Sequence, residues 1–192
     1  MSAGGASQIR HSYACTGTIT EFTTSPELDV VTGTLGDVYE GSNVTRFVRT
    51  IYFRKTFPEA VLVVDRLEAK SPTTFEWWLH TTKESFAIPN QHDVSAKCGN
   101  ASARVDFLWP EGLALSQTDA FDPPIAYGLK LVQHHLTAAT VQPATHALFV
   151  TLIAPYRTGT PPPPKAKLEK TSSSFRVTWP AATPWSIDLT LK

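Results

Sequence analysis

At 192 residues, with 42% hydrophobic and 18% charged side chains, the chain is long enough to bury a core and too apolar to be a disordered tail. Lys plus Arg and Asp plus Glu both number 17, so the formal net charge is zero, and without a basic run nothing supports phosphate neutralisation on a nucleic acid. No apolar stretch approaches the ~18 residues that a bilayer span needs, and the first residues carry no charged segment followed by an apolar one.

Taken in chain order, residues 1–15 read as a flexible or weakly ordered leader. Strands are predicted over 16–22, 28–34, 46–57, 60–69, 73–82, 101–109, 113–118, 126–137 and 144–154, separated by short Pro- and Gly-containing turn signals. "TGTPPPP" over 158–164 is a stiff extended spacer, and 165–192 then reads as a last hairpin at the sheet edge, with strands near 165–170, 175–179 and 185–191. No apolar stripe of helical period persists beyond two turns. About a dozen strands are too many for one open sheet, so the expectation is an all-β domain over 16–157: a two-sheet antiparallel β-sandwich with the final hairpin packed on it.

One segment carries most of the chemistry. In "VLVVDRLEAKSPTTFEWWLHTT" an apolar run ends in Asp65-Arg66, and Lys70-Ser71-Pro72 suggests a turn into a second strand, so a hairpin of 60–69 with 73–82 is predicted. The period of two puts Glu76, Trp78 and His80 on one face of the return strand and Phe75, Trp77 and Leu79 on the other. The second set is a core face. The first is an aromatic surface flanked by an acid and an imidazole, suited to the C–H faces of a sugar ring, with polar neighbours for its hydroxyls.

The strand over 46–57 alternates Arg46, Val48, Thr50, Tyr52 and Arg54 with Phe47, Arg49, Ile51 and Phe53. A guanidinium fork binds two oxygens at once, so Arg49 or Arg54 beside Tyr52 is a candidate for holding a carboxylate or sulfate; a solvent-facing edge cation is the plain alternative. The six histidines show neither HxH nor HExxH spacing, so a metal site would need different strands. His80 with Glu76, or with Asp37, is the best acid-base or metal candidate, whereas His134 and His146 read as hydrogen-bonded core histidines. Cys15 and Cys98 are either a pair or two separate thiols.

The succession "GTLGDVYEG", "RFVRTIYFRK" and "AVLVVDRLEAKSPTTFEWWLHTT", followed by "KLVQHHL" and "HALFVTLIAP", resembles the C-terminal β-domain of the heparinase II/III-like polysaccharide lyases over residues 17–155. The resemblance implies a sheet domain that works beside an N-terminal helical toroid on uronate-containing polysaccharides, by β-elimination with a Tyr and a His. It also implies a divalent metal such as zinc held by His and Asp, and a periplasmic or extracellular setting. The helical half has no counterpart in these residues, and the His-rich opening of the β-domain is missing unless Arg10-His11-Ser12-Tyr13 is its remnant. Fold and ligand class are therefore what carry over. Three functions follow as expectations. The first is an acidic-polysaccharide-binding domain using Trp78, Arg49, Arg54, Tyr52 and His80. The second is a carbohydrate-degrading enzyme in its own right, built on His80, Glu76 and Asp37. The third is a structural domain that pairs with a helical partner or with copies of itself.

Overall fold

The computed structural model describes residues 2–3, 17–35, 43–82, 84–90, 93–121, 132–180 and 185–190. Among them every regular element is a strand, and all pairings are antiparallel. Sheet I runs β1 (Ser2–Ala3), β6 (Phe75–Thr82), β10 (Gln133–Thr140), β9 (Leu113–Thr118). Sheet II runs β2 (Thr18–Thr24), β3 (Leu28–Thr34), β4 (Val44–Arg54), β5 (Ala60–Thr73), β11 (Ala144–Arg157), β8 (Ala101–Trp109), β7 (Asp93–Cys98). Sheet III is a meander of β12 (Lys167–Lys170), β13 (Ser174–Trp179) and β14 (Trp185–Thr190).

Sheet II is the middle layer, which explains its sequence. A strand buried on one face alternates; a strand buried on both reads as a near-continuous apolar run. That is the character of Ala60–Val64 in β5 and of Phe149–Ala154 in β11, neighbours at the centre of the sheet. One face of these strands sends Leu62, Val64, Val150 and Leu152 against Phe175, Val177, Trp179 and Leu189 of sheet III. The opposite face sends Leu67 and Phe149, with Phe107 of β8, against Phe75, Trp77 and Leu136 of sheet I. Each such side chain contributes about 1.5–3 kcal/mol on full burial, so two separate cores hold the layers together.

Sheets I and II form the expected antiparallel sandwich, and the structure differs from the sequence reading in four places. The predicted hairpin of 60–69 with 73–82 does not exist. β5 continues through Ser71-Pro72 to Thr73, and β6 then crosses into the other sheet to pair with β10. The Asn43 side chain holds this stretch extended: its Nδ2 donates to the Ser71 carbonyl at 2.8 Å, and its Oδ1 accepts from the Ser71 N–H at 3.0 Å. Pro72 costs no ladder bond, because the β5–β11 register is interrupted there between Glu68 and Thr73. Second, the last segment is not an edge hairpin but a sheet laid on the face of sheet II. Third, β7 was not predicted; its six residues, DVSAKC, are short and mostly polar at a sheet edge. Fourth, His146 is exposed, with Nδ1 2.9 Å from the Thr145 hydroxyl, rather than in the core. Cys98 is an exposed free thiol, and Cys15, like the 4–15 part of the leader, lies outside the described residues.

Candidate functional site

The strand β6 sits inside sheet I between β1 and β10. Its alternation buries Phe75 and Trp77, at 0% and 3% exposure, and leaves Trp78 outward at 43%. The outward indole is held in place, since its Nε1 donates to the Glu76 carboxylate at 3.0 Å. Register with β10 then decides what lies beside it: Thr137 opposes Trp78, and His135 opposes His80. The two imidazoles stack with centroids 4.5 Å apart and planes 15° from parallel. Trp78 flanks the stack on one side, 6.4 Å from His80, and Phe121 closes the other, edge-on to His135 at 4.7 Å. The outer face of sheet I therefore carries a row of rings in the order Trp78, His80, His135, Phe121. Within it, Nε2 of His135 is buried with no hydrogen-bond partner among the described residues.

Burial, and then the neighbouring His135, hold the His80 pKa below the ordinary imidazole value. Both effects disfavour the cation, so His80 is neutral at pH 7 and offers one N–H donor and one ring-nitrogen acceptor. Because the unfolded chain then binds a proton more readily than the folded one, this site costs stability as the pH falls through the imidazole range. An NMR titration should place the His80 midpoint below that of a free imidazole. His135→Gln should return it only part of the way, since burial is the larger cause. A midpoint at the free value in the unaltered protein would contradict the stacked geometry.

The other sequence candidates are scattered by the fold. Glu76 and His80 are four residues apart on one strand, about 13 Å, with Trp78 between them, so they do not form an acid-base pair. Arg49 lies between sheets I and II, where its Nε and Nη2 grip both oxygens of Asp65 at 2.6 and 2.9 Å. Asp65 also accepts from Trp77 Nε1 at 3.1 Å, so the acid at the end of the apolar run is a fully buried, triply bonded carboxylate. Arg54 is 2% exposed, its Nε bonded to Thr56 and its guanidinium over the Trp179 ring at 5.4 Å. Sheet III seals Arg54 away from any glycan, which corrects its expected binding role. Tyr52 faces sheet III, on the side of sheet II opposite the ring row, and burial raises its pKa. Asp37 lies outside the described residues.

A zinc site does not fit the described donors. No group of three or more His, Cys, Asp or Glu side chains is placed to hold a metal among the described residues. Nitrogen lone pairs lie in the ring plane, so the near-parallel rings of His80 and His135 do not aim at one point about 2 Å from both. Sequence reasoning missed His135 and Phe121. The alternation did set His135 apart from Leu136, but only the β6–β10 register brings it to His80.

Fold and surface together define an all-β, three-sheet domain that presents a row of aromatic and imidazole rings. Its fold is that of part of the solved heparinases. The chain is similar to the heparan sulfate lyase HepC of Pedobacter heparinus (TM-score 0.69, 14% identity, 92% of this chain and 28% of that one). It is similar as well to a heparinase III gene product (TM-score 0.68, 12% identity, 91% and 28%) and to heparinase III (TM-score 0.66, 15% identity, 91% and 27%). The chain thus spans little more than a quarter of the length of these lyases, as the likeness to a single β-domain read from the sequence implies. No family model matches the chain, and no curated protein matches its sequence.

Proposed function

We propose that this domain binds an acidic, uronate-containing polysaccharide across the outer face of sheet I, as the β-domain partner of a helical domain. The observation that carries this reading is Trp78, a large ring left 43% exposed yet locked by its bond to Glu76. A ring fixed before binding loses little freedom when a sugar stacks on it. Next to it, the neutral His80 can donate to a carboxylate or hydroxyl while its other nitrogen accepts. The fold likeness supports the ligand class, since one of the similar proteins is a heparan sulfate lyase. A periplasmic or extracellular setting suits such a ligand. Glu76 and His80 stand too far apart to share a reacting bond, so in this reading the domain binds the polysaccharide and the catalytic groups belong to the partner domain.

Calorimetric titration with a heparan sulfate oligosaccharide tests the reading. Trp78→Ala should weaken binding about tenfold, or roughly 1.4 kcal/mol, while the melting temperature stays close to that of the unaltered protein. Equal affinity in the two proteins would refute it.

A further inference from the structure

Sheet III does not cover all of sheet II. At its end, β12 stops at Lys170 and β14 at Thr190, and beside them two cavities of about 320 and 420 Å³ open over sheet II. Arg46 and Arg66 line both. Lys170 and Trp109 complete the first, and Tyr52 and Thr190 the second.

The charges at this seam are unequal. Arg46 is paired with Glu68 at 2.8 Å, and the Lys170 ammonium sits over the Trp109 ring at 5.0 Å. Arg66 has no carboxylate partner among the described residues. One Nη2 bond to the Thr190 carbonyl, at 2.9 Å, fixes the guanidinium of Arg66, which lines both cavities. Against these three cations the two cavities hold only Glu68, already paired, and Glu21 at the far end. In a chain of zero net charge, such a local excess is not set by composition. A guanidinium without a carboxylate partner is free to take an anion, and its planar fork matches two oxygens of one group.

We propose that this seam is an oxyanion site centred on Arg66, taking the sulfate or carboxylate group of an anionic saccharide. The saccharide rests on the reading above; the oxyanion site does not, because two sheets separate the seam from the Trp78 face. A polysaccharide would thus be held at two places, by stacking on sheet I and by charge at the seam.

The full chain is titrated with inorganic sulfate, with sodium glucuronate and with uncharged glucose, following the arginine Nε–H and indole N–H signals by NMR. One or both anions should shift Arg66 and Trp109, and glucose should shift neither. Sulfate alone acting would identify a sulfate site, and both acting a general oxyanion site. Arg66→Gln should weaken the response about tenfold, Arg66→Lys less, and Trp78→Ala not at all. Should Arg66→Gln fail to fold, Lys170→Gln at the rim should still weaken anion binding about threefold. Silence of Arg66 and Trp109 to both anions, unchanged affinity in the folded Arg66→Gln or Lys170→Gln protein, or binding of an acidic peptide where neither anion binds would overturn the site. An unaltered sulfate response in Trp78→Ala, with no loss of oligosaccharide affinity, would instead sink only the sheet I reading.

Discussion

Arg49→Ala is expected to destabilise the domain by about 3–5 kcal/mol, the range for breaking one side of a buried ion pair. Asp65 is 0% exposed, and without Arg49 the Trp77 indole is its one remaining bond partner among the described residues. Asp65→Asn should cost less, because the Arg49 side chain is 35% exposed and can turn to water. The loss should also depend on pH. Burial pushes the Asp65 carboxyl up, against the pull of Arg49 and Trp77, and removing Arg49 lets it rise further. A carboxyl raised in the folded state contributes its stability below the ordinary carboxylate range and loses it as the pH rises through the raised value. The Arg49→Ala deficit should therefore shrink in acid and grow toward neutrality. Urea unfolding at acid and neutral pH reads both effects; an equal deficit at the two pH values would show that Asp65 is not charged in the interior. Replacing the pair together by Met and Leu should recover only part of the loss, because Trp77 Nε1–H then lacks its Asp65 acceptor.

A comparable loss, about 3–5 kcal/mol, is expected for Arg104→Ala, with a different local signature. Arg104, 8% exposed, holds the Asp106 carboxylate through Nε and Nη2 and the carbonyls of Pro163 and Pro164 through its terminal nitrogens. Trp179 Nε1 donates to the same Pro164 carbonyl. One guanidinium thus ties the proline spacer to sheet II and sets where sheet III lands. Without it, burial leaves Asp106 uncompensated and the spacer loses its anchor. Amide exchange should quicken across β12–β14 while β6 and β10 keep their protection. Uniform loss of protection would mean that the three sheets unfold as one unit.

Alternation was the legible part of the candidate site. Trp77 inward and Trp78 outward follow from a period of two, and the structure keeps both. Partner choice was not legible. Ser71-Pro72 has the composition of a turn, yet Asn43, from a distant part of the chain, holds Ser71 extended. Arg49 and Arg54 are equivalent as residue types, but one grips Asp65 and the other lies under Trp179. A guanidinium reveals in sequence that it will seek oxygens, not which ones.

The order of apolar and polar residues alone therefore established the all-β class, most strand positions and the faces of β6, because these depend on neighbours two residues apart. It also carried the likeness to a lyase β-domain. The layering of three sheets, the stacking of His80 on His135 and the place of Arg66 at the seam, without a carboxylate partner among the described residues, came only with the tertiary structure. Each depends on the register or docking of segments far apart in the chain, which is settled by which faces can be buried together.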